Sequence, residues 1–252
     1  MTFEVQGERS GETPAGARPL PALRDPGLWR TVPIEPVDEP LVEVAAIGGV
    51  VRDDPRYYAM GLPGARPHNS LREGVAERLA RVAHGLPDGM TLIVWDGWRA
   101  FETQRALYDD WAAQLMRTHP HWPRQTVERE TARYVSVPSA DPSCPAPHIT
   151  GGAVDLTLGD GDGAPLDMGT GFDAFVPEAG AMAMEGVPGR SRELRRLLFW
   201  AMADQGFTAF FEEWWHFDFG DQFWGSITGR PARYGPVEAD HRPPSAPLLD
   251  GP

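Results

Sequence analysis

Two short tracts far apart in the chain constrain its fold most: Pro147-His148-Ile149-Thr150-Gly151-Gly152-Ala153-Val154-Asp155-Leu156-Thr157-Leu158 and Glu212-Glu213-Trp214-Trp215-His216-Phe217. Together they hold two imidazoles, one carboxylate placed to bind a metal and another placed to act as a base. This inventory suits a zinc site with an open fourth position, where three N/O ligands hold the ion and a coordinated water loses its proton near neutral pH. A fold that uses it must bring both tracts to one point.

Composition narrows the class. The 252 residues, 41% of them hydrophobic, suffice for one domain with a sizeable core. The net charge of −13 comes from interleaved acids and bases. That balance lacks the basic footprint of a nucleic-acid binder, and an anionic membrane surface would repel it. A single cysteine, Cys144, excludes an intramolecular disulfide. It reads as an ordinary loop thiol rather than a further ligand, because Pro145 and Pro147 stiffen the stretch leading to His148. The first residues, Met1-Thr2-Phe3-Glu4-Val5, carry neither a basic nor an apolar leader region, and no stretch approaches ~18 apolar residues. A cytoplasmic protein is the expectation.

Residues 1–40 are rich in Gly, Pro and Glu without strand or helix period, and read as an arm lying over the surface or partly disordered. Residues 229–252, with Arg242-Pro243-Pro244 and Ala246-Pro247, read as a comparable tail. Residues 41–228 between them form one compact domain with no internal repeat. Ser70-Leu71-Arg72-Glu73 has the pattern of a capping box, followed by Val75, Leu79 and Val82 at helical spacing until Gly85. Thr91–Asp96 reads as a buried strand, 102–117 as a helix, and 127–135 as a shorter one. A further helix spans 191–205, with Leu194, Leu197, Leu198 and Ala201 on one face and Gly206 ending it. The aromatic run Phe210–Phe219 reads as a strand. Helices and strands mixed without regular βαβ alternation argue for an α+β fold.

Alternation in Ala153–Leu158 sets Val154, Leu156 and Leu158 on one side and Asp155 on the other. By itself this describes an ordinary solvent-facing aspartate. His148 alters that reading, since Gly151-Gly152 lets the chain turn so that the two side chains converge. Glu213 and His216 pose a geometric question, because their odd spacing puts them on opposite faces of a regular strand. Either the strand begins only at Trp215 or His216, or a bulge re-aims one side chain. Arg99, directly after the strand in Trp95-Asp96-Gly97-Trp98-Arg99, is either a cation aimed at developing negative charge or a partner of Asp96.

These tracts resemble the His-x-x-Gly-x-Ala-x-Asp and Glu-x-x-His signatures of the D-alanyl-D-alanine dipeptidase family of zinc metallopeptidases, which includes the vancomycin-resistance dipeptidases. The resemblance runs from about residue 40 to 225 and takes in Leu71-Arg72-Glu73-Gly74-Val75-Ala76. It implies a hedgehog/DD-peptidase-like fold, a small antiparallel sheet flanked by helices. It further implies one zinc per chain on His148, Asp155 and His216, with Glu213 as general base approaching from a loop edge and Arg99 stabilising the transition state. In Met168-Gly169-Thr170-Gly171-Phe172-Asp173, it implies that Asp173 receives the free amino group of a small dipeptide substrate. Ala100 replaces a proline common in the family. Ala146 and Pro147 stand where the family usually has serines that help hold the substrate's carboxylate, which opens the rival readings of a DD-carboxypeptidase or a peptidase for another dipeptide. A third reading is a non-catalytic zinc-binding module.

Overall fold

The computed structural model describes residues 15–238. Seven strands and six α-helices follow in chain order: β1 Leu41–Glu43, β2 Val51–Asp53, α1 Arg56–Ala59, β3 Ser70–Arg72, α2 Glu73–His84, β4 Thr91–Asp96, α3 Phe101–Thr118, α4 Arg124–Tyr134, β5 Ala153–Gly159, α5 Arg190–Ala203, β6 Thr208–Ala209, β7 His216–Asp218 and α6 Gln222–Thr228. Five strands form one sheet in the order β2-β4-β5-β7-β6, and β1 pairs with β3 in a second, two-stranded sheet. The larger sheet is antiparallel except at its β2 edge, where β2 runs parallel to β4. This is the α+β architecture expected from the unalternated pattern of elements.

β4 is apolar and β-branched, and all six of its residues are buried. Its neighbour β5 is buried along both faces, with Val154, Leu156 and Leu158 in the hydrophobic core. α2 lays Val75, Leu79 and Val82 on that core, and α5 adds Leu194, Leu198 and Met202. Fully burying such a side chain is worth roughly 1.5–3 kcal/mol, so these two helical stripes fix which sheet face is closed. α3 and α4 pack on each other as a hairpin. None of the helices among the described residues is long and apolar enough to cross a membrane.

Three local expectations are corrected. Ser70–Arg72 is not a capping box but strand β3, with Leu71 opposite Val42 and Arg72 opposite Leu41. Pairing with Leu41–Glu43 outcompetes the local cap, and Glu73 becomes the first residue of α2 rather than its third. The aromatic run is a strand only over His216–Asp218, because Phe211–Trp215 turns before the ladder begins. The shorter helix starts earlier than its apolar pattern suggests, at Arg124 directly after Pro123, a residue suited to a helix start.

The flanking segments are tied to this core where they are described. The Trp29 ring lies 4.4 Å from that of Phe223, and Gln222 donates to the carbonyls of Arg30 and Val32. Ile34 bridges to Ala232, and Trp98 donates its indole N–H to the carbonyl of Val237. Arg72, buried between them, donates to the carbonyls of Thr150, Glu39 and Gly235 at 2.7, 2.6 and 3.1 Å. The expectations for residues 1–14 and for the proline-rich stretch from Arg242 to Pro247 lie outside the described residues.

Candidate metal centre

The site forms where β5 and β7 meet the segment that precedes β5. Pro147 opens a 3-10 turn over Pro147–Thr150, and Gly151 ends it in the left-handed region at φ 72°. A side chain there would also strike Leu41, so glycine is required twice over. The reversal sends the chain into β5 and brings His148 over Asp155. Asp155 is the register partner of His216, the first residue of β7, so both project to one face. The alternative left open by spacing is thereby resolved: the strand begins at His216, and Glu213 sits in the irregular turn before it.

His148, Asp155 and His216 are buried and offer one ligand atom each, all within 4.8 Å of one another. His216 Nδ1 lies 2.9 Å from Asp155 Oδ1, and His148 Nε2 lies 3.2 Å from His216 Nδ1. The far nitrogens are spoken for. His148 Nδ1 lies 2.8 Å from the carbonyl oxygen of Gly97, a pure acceptor, and His216 Nε2 lies 2.9 Å from Asp218 Oδ1. Each ring therefore carries a proton on its outer nitrogen and, when neutral, turns a lone pair inward. Two imidazole lone pairs and a carboxylate facing one point form a group able to hold a metal ion. The donor set suits zinc, and the Gly97 carbonyl and Asp218 fix the orientation of the two rings. Cys144 stands outside the group.

The electrostatics report the same demand. Burial disfavours the ionised Asp155 carboxylate, yet the neighbouring His148 and His216 hold its pKa below the usual range. Burial likewise opposes charge on His216, but Asp218 and Asp155 push its pKa well above that of a free histidine.

A cleft of about 500 Å³, its solvent-filled mouth included, opens over these residues and is also lined by Tyr57, Arg99, Asp173 and Glu213. Burial pushes the Glu213 carboxyl well above its ordinary pKa; His216 pulls the other way, and Asp155 and Asp173 push further up. Glu212, its neighbour, turns away and forms a paired contact with Arg133 at 2.7 and 3.1 Å.

Arg99 is a partner of Asp96 and lines the cleft. A register shift in the β4–β5 ladder between Val94 and Asp96 sets Asp96 opposite Asp155. Such irregularities re-aim side chains beside active sites. Arg99 Nε then donates to Asp96 at 2.9 Å, while Nη2 reaches Asp155 Oδ2 at 3.3 Å. Nη1 donates to Gln104 at 2.8 Å. Burial opposes its charge, but Asp96, Tyr57 and Asp155 keep the guanidinium firmly protonated.

Asp173 lies at the other side of Arg99. It alone among the described non-glycine residues has a positive φ, 54°, a conformation aspartate tolerates better than most. It accepts from the Tyr57 hydroxyl at 3.0 Å. Burial, with Asp155 nearby, pushes its pKa up to about 7, against the opposing pull of Arg99 and Tyr57. Tyr57, Gln104 and Asp218 had not been picked out from sequence. Asp218 carried a usable signal, since two residues beyond His216 on one strand it shares that face. Tyr57 on α1 and Gln104 on α3 carried none.

An inward-facing triad of N/O donors beside a buried carboxylate and a fixed guanidinium is the equipment of a metallopeptidase. Residues 68–234 match the family model described as D-ala-D-ala dipeptidase, and the chain belongs to that family. A D-alanyl-D-alanine dipeptidase of Synechocystis sp. is 29% identical over 219 residues, covering 78% of this chain and 88% of the relative. One of Enterococcus faecium is 33% identical over 141 residues, covering 53% of this chain and 64% of the relative. A solved structure, VanYB in complex with D-Alanine-D-Alanine, aligns at 17% identity with a TM-score of 0.41, over 68% of this chain and 84% of that one. The family assignment rests on the sequence matches, and with it the class of enzyme, a metallopeptidase of the D-Ala-D-Ala dipeptidase type.

Proposed function

We propose that this enzyme is a zinc-dependent dipeptidase that hydrolyses D-alanyl-D-alanine or a related small dipeptide. The convergence of His148 Nε2, His216 Nδ1 and Asp155 on one point, with Glu213 lining the same cleft, carries the reading. Bound zinc would supply Lewis-acid polarisation of the scissile carbonyl and a water acidic enough to ionise near neutrality. The remaining work falls to side chains. Glu213 takes the proton of the attacking water and later delivers it to the departing amine, a dual role that a pKa raised by burial favours. Arg99 faces the negative charge that develops on the carbonyl oxygen, held in place by Asp96 and Gln104. Asp173, oriented by Tyr57, receives the substrate's free ammonium and so selects a dipeptide over an internal peptide bond.

The rival that keeps the chemistry and changes the substrate draws on Ala146 and Pro147, which offer no side-chain hydroxyl. Rates on D-Ala-D-Ala, on an N-acylated analogue and on an L,L dipeptide separate the readings. Faster cleavage of the N-acylated compound would remove Asp173 from its role and favour a carboxypeptidase. A non-catalytic zinc module has no use for a buried carboxylate beside the metal. The deciding experiment is alanine release from D-Ala-D-Ala by zinc-reconstituted protein, with Glu213→Ala as control. Activity in the parent and its loss in the variant, with zinc content equal, is the expected result; equal activity in both removes Glu213 as the base.

A further inference from the structure

One wall of the cleft carries a hydroxyl that the mechanism leaves unused. Pro147 and the segment Tyr134-Val135-Ser136 both line the cleft. The Ala146 N–H donates to the carbonyl of Ser139 at 2.9 Å, which lays the stretch after α4 alongside the residues preceding His148. Ser136 is fixed against the site by Gln104, a buried side chain that donates to the Ser136 carbonyl at 2.7 Å and accepts from Arg99 at 2.8 Å. A line of hydrogen bonds thus runs from Asp155 through Arg99 and Gln104 to Ser136.

Most other polar groups in this cleft are committed. Arg99 is assigned to the carbonyl oxygen, both ends of the Gln104 amide are used, and the Tyr57 hydroxyl serves Asp173. Two hydroxyls remain without a hydrogen-bond partner among the described residues, those of Tyr134 and Ser136. The Tyr134 ring packs against Trp111 and Phe175 and lies among the charges of Arg133, Glu212 and Glu213. Ser136 belongs to the Pro147 wall. On that wall Pro147 has no N–H and the Ala146 N–H is already bonded. A dipeptide held by its ammonium at Asp173 must settle its other charge elsewhere, and a carboxylate drawn into a cleft without a donor is costly.

We propose that the Ser136 hydroxyl donates a hydrogen bond to the free α-carboxylate of the substrate and makes Ser136 a specificity-determining residue for dipeptides with an unblocked C-terminus. The inference rests on the dipeptidase reading and adds to it the group that recognises the leaving half.

The test compares parent, Ser136→Ala and Ser136→Thr on D-Ala-D-Ala and on its C-terminal amide. Hydrogen bonds to charged groups set the scale, so KM for the free acid should rise about tenfold in Ser136→Ala with kcat little changed. KM for the amide should not move, and Ser136→Thr should restore most of the preference. Equal effects on acid and amide, or no effect on either, would overturn the role. If zinc-loaded parent cleaves neither compound, the dipeptidase reading fails separately. Calorimetric titration of D-Ala-D-Ala then decides Ser136: binding weakened by the substitution for the acid alone supports it, and equal or absent binding in parent and variant refutes it.

Discussion

Asp155 and His216 face each other across β5 and β7 as register partners, and the 2.9 Å contact between Oδ1 and Nδ1 joins the two atoms that would address a metal. Since His216 is held protonated well above its ordinary range by Asp218 and Asp155, against the effect of burial, the ion competes with a proton. Zinc binding at pH 7 is expected to release about one proton from the site, and its affinity to weaken as pH falls. Calorimetry in buffers of different ionisation enthalpy measures the number; no proton release would mean His216 is neutral before zinc arrives.

Arg99→Ala removes a charge that Asp96 and Asp155 share. Loss of a transition-state donor lowers rate by roughly 10²–10³, and kcat should fall by about that factor. The same variant leaves Asp96 buried without its cation, so the melting temperature should fall as well. Arg99→Lys separates the two effects, keeping charge while losing the fork that reaches Gln104. An unchanged kcat in Arg99→Ala would remove the residue from the mechanism.

Asp173 gives the pH dependence a sign. Its folded pKa of about 7 lies above the ordinary carboxylate value. Ammonium capture needs the ionised form, so KM for a dipeptide should improve as pH rises through about 7 and flatten above it. In the metal-free protein the linkage runs the other way. The folded chain keeps this proton up to about pH 7 while the unfolded chain loses it near the ordinary value of 3.8, so stability from this group declines across that window as pH rises. Asp173→Asn should abolish both trends; a KM profile that keeps its inflection in the variant would assign it to another group.

Gly151→Ala tests how the His148 turn is built. The position requires φ 72°, and a Cβ there would lie 2.6 Å from a Leu41 methyl. Strain of this kind costs on the order of 1–3 kcal/mol. Because Gly151 closes the turn carrying His148, zinc affinity should fall along with the melting temperature. A destabilised variant with unaltered zinc affinity would show that His148 is placed independently of the turn.

The candidate ligands were legible from sequence because His148, Asp155 and His216 stand at the spacings of the signatures these tracts resemble; period alone left Asp155 an ordinary solvent-facing aspartate. The main strands and helices were legible from residue type and period, as in β4, whose six residues read as buried and are. What was hidden depends on contacts between distant segments. Tyr57 meets Asp173 across 116 positions, and nothing near Tyr57 in sequence announces it. Ser70–Arg72 matched a helix-start pattern locally, and only the presence of Leu41–Glu43 alongside turns it into a strand. The register shift at Trp95 that presents Asp96 to Asp155 leaves no mark on an apolar, β-branched run.

Arg72 makes the boundaries of the working unit wider than residues 41–228. Two of its three carbonyl acceptors, on Glu39 and Gly235, lie outside residues 41–228, and the third belongs to Thr150 in the turn that bears His148. A fragment trimmed to that range would retain every candidate ligand in its sequence yet lose two of the acceptors that hold Arg72 against the turn bearing His148. The candidate metal centre is therefore coupled to both flanks, and zinc affinity is expected to fall when the chain is shortened to residues 41–228.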